Sequence, residues 1–304
     1  MKRHCVFHSA ALAGALMSSL AAAVPQAFVA STGSDANTRR DCTVDRPCRT
    51  FAAALSVADN GGEIVALDGA DYGVVAITKS ISIIGAAYAG ISVPAGSDGV
   101  TIATPGVNVV LRGLNIHAKG GQSGVVMTDG ASLAVENCAI SNFAFHGVSV
   151  NTPAKVRIVN SVLSGNSNGA AIAGGASADV IKSQFMKNAG AGLSVGASGA
   201  TTSASVSDST ASGNLHGFLA FSDTGAVSRM SVTRSTAANN GFAGFSVTAN
   251  AVMTVGNSMA SGNGIGLANV PAVSGFGTLE TLGNNTVRQN GSPTLGIITS
   301  VSGM

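Results

Sequence analysis

Six segments in the second half of the chain share one order of hydrophobic and polar positions. Each runs from an apolar strand residue through a polar residue and a small one to a closing asparagine. They are Ile158–Asn166 (IVNSVLSGN), Val180–Asn188 (VIKSQFMKN), Val206–Asn214 (VSDSTASGN), Val232–Asn240 (VTRSTAANN), Val255–Asn263 (VGNSMASGN) and Leu282–Asn290 (LGNNTVRQN). The closing asparagines fall 22 to 27 residues apart, so each unit reads as one supersecondary element stacked on its neighbours. Gly169, Gly192, Gly217, Gly244 and Gly266 follow the bends, where the backbone needs φ > 0 or a close approach. The strand after each bend alternates, with Val148 and Val150, Leu193 and Val195, and Phe245 and Val247 expected in the interior. Parallel coils stack about 4.8 Å apart, so roughly nine or ten of them make a rod on the order of 45 Å long. Asn166, Asn188, Asn214, Asn240, Asn263 and Asn290 would then form a ladder, their amides bonded to one another and to turn backbone. A two-sheet sandwich fits the β content but not the fixed repeat.

The first half is less regular. Phe51, Ala52, Leu55 and Val57-Ala58 lie at helical spacing, which predicts a short helix from Thr50 to about Ala58, ended by Asn60-Gly61-Gly62. Short β-rich segments follow at 63–67, 73–77, 80–84 and 90–93, each bounded by turn residues. A Pro and a Thr (Pro47, Thr50) lead into the helix. Gly61-Gly62-Glu63-Ile64-Val65, Asp71-Tyr72-Gly73 and Ile77-Thr78-Lys79-Ser80-Ile81-Ser82-Ile83-Ile84-Gly85 come next. This opening, with the later Asn-Ser and Asn-x-x-Gly coils, resembles the right-handed parallel β-helix proteins of the pectin-lyase-like superfamily. The resemblance covers nearly all of the chain after its first segment. It implies an all-β solenoid whose short N-terminal helix covers the open end of the stack. It implies less about activity, because that fold carries lyases, hydrolases, epimerases, adhesins and proteins without known activity.

Composition narrows the classes. The 304 residues include 40 Gly, no Trp and 2 Tyr, with 45% hydrophobic and 10% charged residues, enough to bury a core and too irregular for collagen. Lys2, Arg3 and His4 precede an apolar run from about Ala10 to Val24, the layout of a secretory signal peptide over residues 1–27. Cleavage is expected after Ala23 or Ala27; the other reading of this run is a retained membrane anchor. Segment 28–60 would carry a disulfide loop and the capping helix, and 61–304 the coils. Of the 16 Lys and Arg, removal of Lys2 and Arg3 leaves 14 against 14 Asp and Glu. A neutral chain with few clustered bases lacks the footprint that binding nucleic acid needs. No later run reaches the roughly 18 apolar residues of a membrane span. Cys42 and Cys48 bracket a short loop and are expected to form a local disulfide, with free thiols as the alternative. Cys138 occupies the slot of Ser161, Ser183, Ser209, Ser235 and Ser258 and is expected to be buried.

Candidate chemistry lies in columns of charge on the outer wall, where enzymes of the resembling superfamily work. One column reads Asn137, Asn160, Lys182, Asp208, Arg234, Asn257, Asn284; a second, three residues earlier, reads Ala134, Arg157, Asp179, Ser205, Ser231, Thr254, Thr281. Asp179 and Asp208 are the candidate acid and base, with Arg157, Lys182 and Arg234 holding an anionic sugar. Strand rise and coil spacing put the two carboxylates roughly 11 Å apart, wider than the ~5–9.5 Å of glycoside hydrolysis. The bland alternative is a surface ladder of ion pairs. Calcium is poorly served by so few acids, and no metal or other cofactor is implied. His146 and His216 are three coils apart, about 14 Å, and read as solvated turn residues. Asp68, Asp71 and Tyr72 read as turn formers, and no Ser-His-Asp constellation appears. The expectation is therefore an exported protein, secreted or periplasmic and monomeric, that binds glycans or other extracellular polymers, an extracellular polysaccharide first among them, on its outer wall without turning them over. A polysaccharide lyase or hydrolase and an adhesive rod are the alternatives.

Overall fold

The computed structural model describes residues 24–223, 225–272 and 275–302; of the signal segment expected over residues 1–27, residues 1–23 lie outside them. Each turn of the chain lays down three strands, and successive turns pair in parallel. Three sheets of 12, 9 and 10 strands result, the parallel β-helix expected from the repeat. One turn is Lys155–Val159 in the first sheet, Val162–Ser164 in the second and Asn168–Ala173 in the third. Alternation sets which side faces in: Val156 and Ile158 are buried, while Lys155 and Arg157 are exposed. The chain leaves the first sheet through a left-handed corner at Asn137, Asn160, Lys182, Asp208, Arg234 and Asn257, with φ between 46° and 53°. The column carrying Lys182, Asp208 and Arg234 is thus a row of corner residues, not the strand column inferred above.

Inward positions compensate one another in volume. The second sheet stacks Leu163, Phe185, Ala211, Ala237 and Ala260, while the third stacks Ala170, Leu193, Phe218, Phe245 and Leu267. Where one sheet turns to alanine the other supplies a large residue, Phe218 and Phe245 with Ala211 and Ala237, and leucine with Ala170 and Ala260, which keeps the coil cross-section filled. Phe218 stacks on Phe245 with ring centroids 5.4 Å apart and meets Phe185 edge-on at 6.5 Å.

The second bend holds the expected asparagine ladder. Asn188 Nδ2 donates to Asn214 Oδ1 at 2.9 Å, Asn214 to Asn240 at 3.1 Å, and Asn240 to Asn263 at 2.8 Å. The bend glycines are there for closeness, since none has positive φ. A Cβ on Gly192 would sit 2.7 Å from the carbonyl oxygen of Gly217 on the next coil. A serine ladder runs beside the first corner: the N–H groups of Cys138 and Ser183 donate to Ser161 and Ser209 Oγ at 3.1 and 3.2 Å.

Helix α1 spans Phe51–Val57, with Thr50 Oγ1 accepting from Ala53 N at 3.1 Å as its N-cap. It ends at Val57, and Asn60-Gly61-Gly62 lie in the strand Ala58–Ala66, not in the expected stop. An element missed in the sequence lies beyond it. Val24–Val29 forms the outermost strand of the first sheet, against Ala58–Ala66. Its free edge is covered by the loop of the Cys42–Cys48 disulfide, with Cys48 N donating to Phe28 O at 2.9 Å and Phe28 N to Cys42 O at 2.8 Å. Helix and loop together close this end of the stack against edge-to-edge association.

Cys138 is 3% exposed, and burial pushes its thiol up to about 11. Iodoacetamide at pH 8 is therefore expected to label no cysteine of the native protein starting at Val24. Unfolding without reductant should expose one, and with reductant three; mass spectrometry counts them. Labelling in the native state would contradict this placement.

Candidate functional site

The outer face of the first sheet presents two columns of side chains. One runs Lys155, Ser177, Ser203, Arg229, Val252, Thr278, and the other Arg157, Asp179, Ser205, Ser231, Thr254, Glu280. Small serines in the middle leave a trough of about 460 Å³, which reaches Asp179 at one end and Glu280 at the other. A second hollow of about 440 Å³, sharing Ser177 and Asp179, extends it past Lys155 and Arg157. From the Arg157 strand to the Glu280 strand the groove spans five coil steps, roughly 24 Å. Its lining contains no aromatic ring; what it offers is serine and threonine hydroxyls and charge.

Arg157 and Asp179 are register partners and both face this groove. Asp208, Lys182 and Arg234 do not: they stand on the left-handed corner beside it. Arg234 grips Asp208 bidentately, Nε to Oδ1 and Nη2 to Oδ2 both at 2.9 Å. Those bonds and the guanidinium charge, with Lys182 adding a smaller attraction, hold the Asp208 carboxyl below its ordinary range. The structure therefore separates the two candidate carboxylates. The other ion pair among the described residues is Arg112–Glu136, at 2.9 Å. Neither Arg157–Asp179 nor Lys182–Asp208 closes to an ion pair.

Three groove residues escaped the sequence reading. Counting nine residues back from each ladder asparagine placed Thr281 opposite Thr254, whereas Glu280 is the true partner, and Thr254 Oγ1 donates to its Oε2 at 2.7 Å. The last corner carries one extra residue: five positions separate Thr254 from Met259, but six separate Glu280 from Thr286 in the same register. Lys155 and Arg229 stand in a further column, two residues before that of Arg157, where three coil steps separate the two charges and leave no run of charge to see in the sequence. No group of three or more His, Cys, Asp or Glu that could hold a metal occurs among the described residues.

Both histidines of the third-sheet bend are half-buried, not solvated. His216 Nδ1 lies 2.9 Å from Ser246 Oγ and its ring 4.9 Å from Phe242; His146 Nδ1 accepts from Asn168 Nδ2 at 3.4 Å. Burial lowers the pKa of each. At the capped end Asp68 accepts from Ser31 and from the hydroxyl of buried Tyr72, bonds that lower its pKa. No helix among the described residues is long and apolar enough to cross a membrane.

The coil arrangement has counterparts among solved structures. The chain superposes on the pectate lyase Pel9A with a TM-score of 0.60 at 18% identity, covering 91% of this chain and 77% of that one. It superposes on the A-module of the Azotobacter vinelandii mannuronan C-5 epimerase AlgE4 with a TM-score of 0.51 at 13% identity, covering 93% and 98%. These likenesses are of fold. No curated protein matches the chain by sequence. The family model of the right-handed β-helix region matches residues 31–205, more than half of the chain, and with three parallel sheets and an asparagine ladder in place the protein belongs to the right-handed β-helix family.

Proposed function

We propose that this protein is exported and binds an acidic polysaccharide along the outer face of its first sheet, without cleaving it. One observation carries the reading: a groove parallel to the rod axis, floored by serine hydroxyls and bearing Lys155, Arg157 and Arg229 against isolated Asp179 and Glu280. The pyranose repeat of a glycan is comparable with the coil spacing, so successive sugars can meet successive coils. The two groove carboxylates are four coil steps apart, roughly 19 Å, beyond any acid–base pair acting on one glycosidic bond. Two structures of like fold are described as a pectate lyase and a mannuronan epimerase, which makes uronate polymers the first to try. Lys182 adds positive potential at the groove's edge, whereas Arg234 is occupied by Asp208. Export with cleavage after Ala23 keeps the strand Val24–Val29, in which Ala27 and Val29 are buried; cleavage after Ala27 would cut through it. The disulfide fits an oxidising compartment.

Affinity electrophoresis through pectate and polymannuronate gels tests the groove. The triple variant Lys155→Ala, Arg157→Ala, Arg229→Ala is expected to bind at least about tenfold more weakly, a loss of about 1.4 kcal/mol. Wild-type binding should weaken with added salt, and Arg234→Ala should retain wild-type affinity. A triple variant retarded as strongly as wild type would remove the groove from the account.

A further inference from the structure

A cleft on the second sheet, near the capped end, takes no part in the groove. It measures about 230 Å³ and is lined by Asp71, Ser92, Asn115 and His117, with Tyr88 beside them. Ser92 and His117 are register partners on the strands Gly90–Pro94 and Asn115–Lys119, with Oγ and Nε2 3.1 Å apart. Asp71 joins them from the preceding turn, its Oδ1 accepting from Gly73 N at 3.1 Å and Ser92 N at 3.0 Å. Burial alone would raise the Asp71 pKa, but the Ser92 and Gly73 hydrogen bonds outweigh it and keep the carboxyl below its ordinary value. Tyr88 is 88% exposed, an amphipathic ring left in water next to a polar hollow.

The trio is not an acyl-transfer triad. Such a triad needs the carboxylate on the imidazole nitrogen that faces away from the serine, and Asp71 bonds to Ser92 and Gly73 instead. What remains is a set of groups suited to a sugar ring. We propose that this cleft binds a single neutral pyranose, with Tyr88 against its apolar C–H face and Asp71 accepting from adjacent hydroxyls. Asn115, which both donates and accepts, and His117 serve the remaining hydroxyls. The lining holds a carboxylate and neither Lys nor Arg; Lys119 and Arg49 stand close to Asp71 but outside the lining, so the group that meets the sugar is anionic and a neutral sugar is favoured over a uronate. The cleft and the first-sheet groove therefore take different classes of sugar. This assignment stands on its own geometry and does not depend on the groove.

The chain supplies its own probe. It has no Trp and 2 Tyr, and the hydroxyl of buried Tyr72 is tied to Asp68, so ligand-dependent tyrosine fluorescence reports Tyr88. Titration of the full protein with methyl glucoside, methyl galactoside and methyl mannoside is expected to give a saturable change for at least one, with a Kd on the order of 1 mM. Asp71→Asn keeps an oxygen for the turn bonds while removing the charge, and should raise that Kd about tenfold, as should His117→Ala. Calorimetry reads the same binding in Tyr88→Ala, where weakening is expected. The triple variant of Lys155, Arg157 and Arg229 should bind the glycoside as wild type does. Absence of a saturable signal from all three glycosides by both methods would overturn the proposal. Unchanged binding in Asp71→Asn, or a methyl glucuronide binding as tightly as the neutral sugars, would do so too.

Discussion

Replacing Asn214 with alanine is expected to destabilise the protein by about 2 kcal/mol or more. Asn214 is 3% exposed and sits in the middle of the ladder. Its Oδ1 accepts from both the backbone N and Nδ2 of Asn188 at 2.9 Å. Its Nδ2 donates to Phe185 O at 3.0 Å and to Asn240 Oδ1 at 3.1 Å. Truncation takes a partner from four polar atoms inside a dry bend; Asn188 Nδ2 still reaches Leu163 O and Asn240 Oδ1 still accepts from the backbone N of residue 214, so the Asn188 N–H and the Phe185 carbonyl bear most of the loss, and each buried unsatisfied group costs about 1–3 kcal/mol. Relaxation or a trapped water would recover part of that sum, which places the expectation at its lower end. Asn290 closes the ladder where the stack ends and is half-exposed, so Asn290→Ala should cost far less. Urea unfolding followed by circular dichroism compares the two. Equal losses would mean that the ladder is not a buried network.

Phe218→Ala should cost about 3–5 kcal/mol, the range for removing a buried aromatic. Its side chain is fully buried between Phe185 and Phe245. The second-sheet inward position of the same turn is Ala211, which has no volume to move into the cavity. The alternation of alanine and phenylalanine between the two sheets also predicts coupling. Adding Ala211→Phe to Phe218→Ala should recover part of the loss, giving a double-mutant interaction energy well away from zero. Additive losses would show that the two columns do not share one cross-section.

The parts of this structure that were legible in the sequence are those whose side chains repeat at a fixed place in the coil. Asn188 and Asn214 bond to each other because they occupy equivalent positions 26 residues apart, and that spacing can be counted. The inward columns were legible for the same reason, from Leu193, Phe245 and Val247. The outer wall was harder. Lys182, Asp208 and Arg234 look like strand residues in a column, yet each turns through φ > 0, a conformation common for Asn and Asp but not marked by Lys or Arg. Glu280 was lost to a single inserted corner residue, because one step of register carries a side chain to the opposite face. The second-sheet cleft had no periodic signal at all. Its residues come from three early turns, with separations of 21 and 25, in coils that precede the asparagine ladder. Val24–Val29 was hidden because its apolar residues continue directly from the apolar run before it.

On the proposed function, the first-sheet groove holds an acidic glycan and does not cut it. Folded protein starting at Val24, incubated with pectate and polymannuronate under conditions where gel retardation shows binding, tests this most directly. Unsaturated ends are read by ultraviolet absorbance and reducing ends by a colour reaction, with and without calcium. The account predicts retention on at least one polymer and neither kind of new end. Unsaturated ends would make the protein a lyase and reducing ends alone a hydrolase, and either would contradict a binding wall and direct mutagenesis to Asp179 and Glu280.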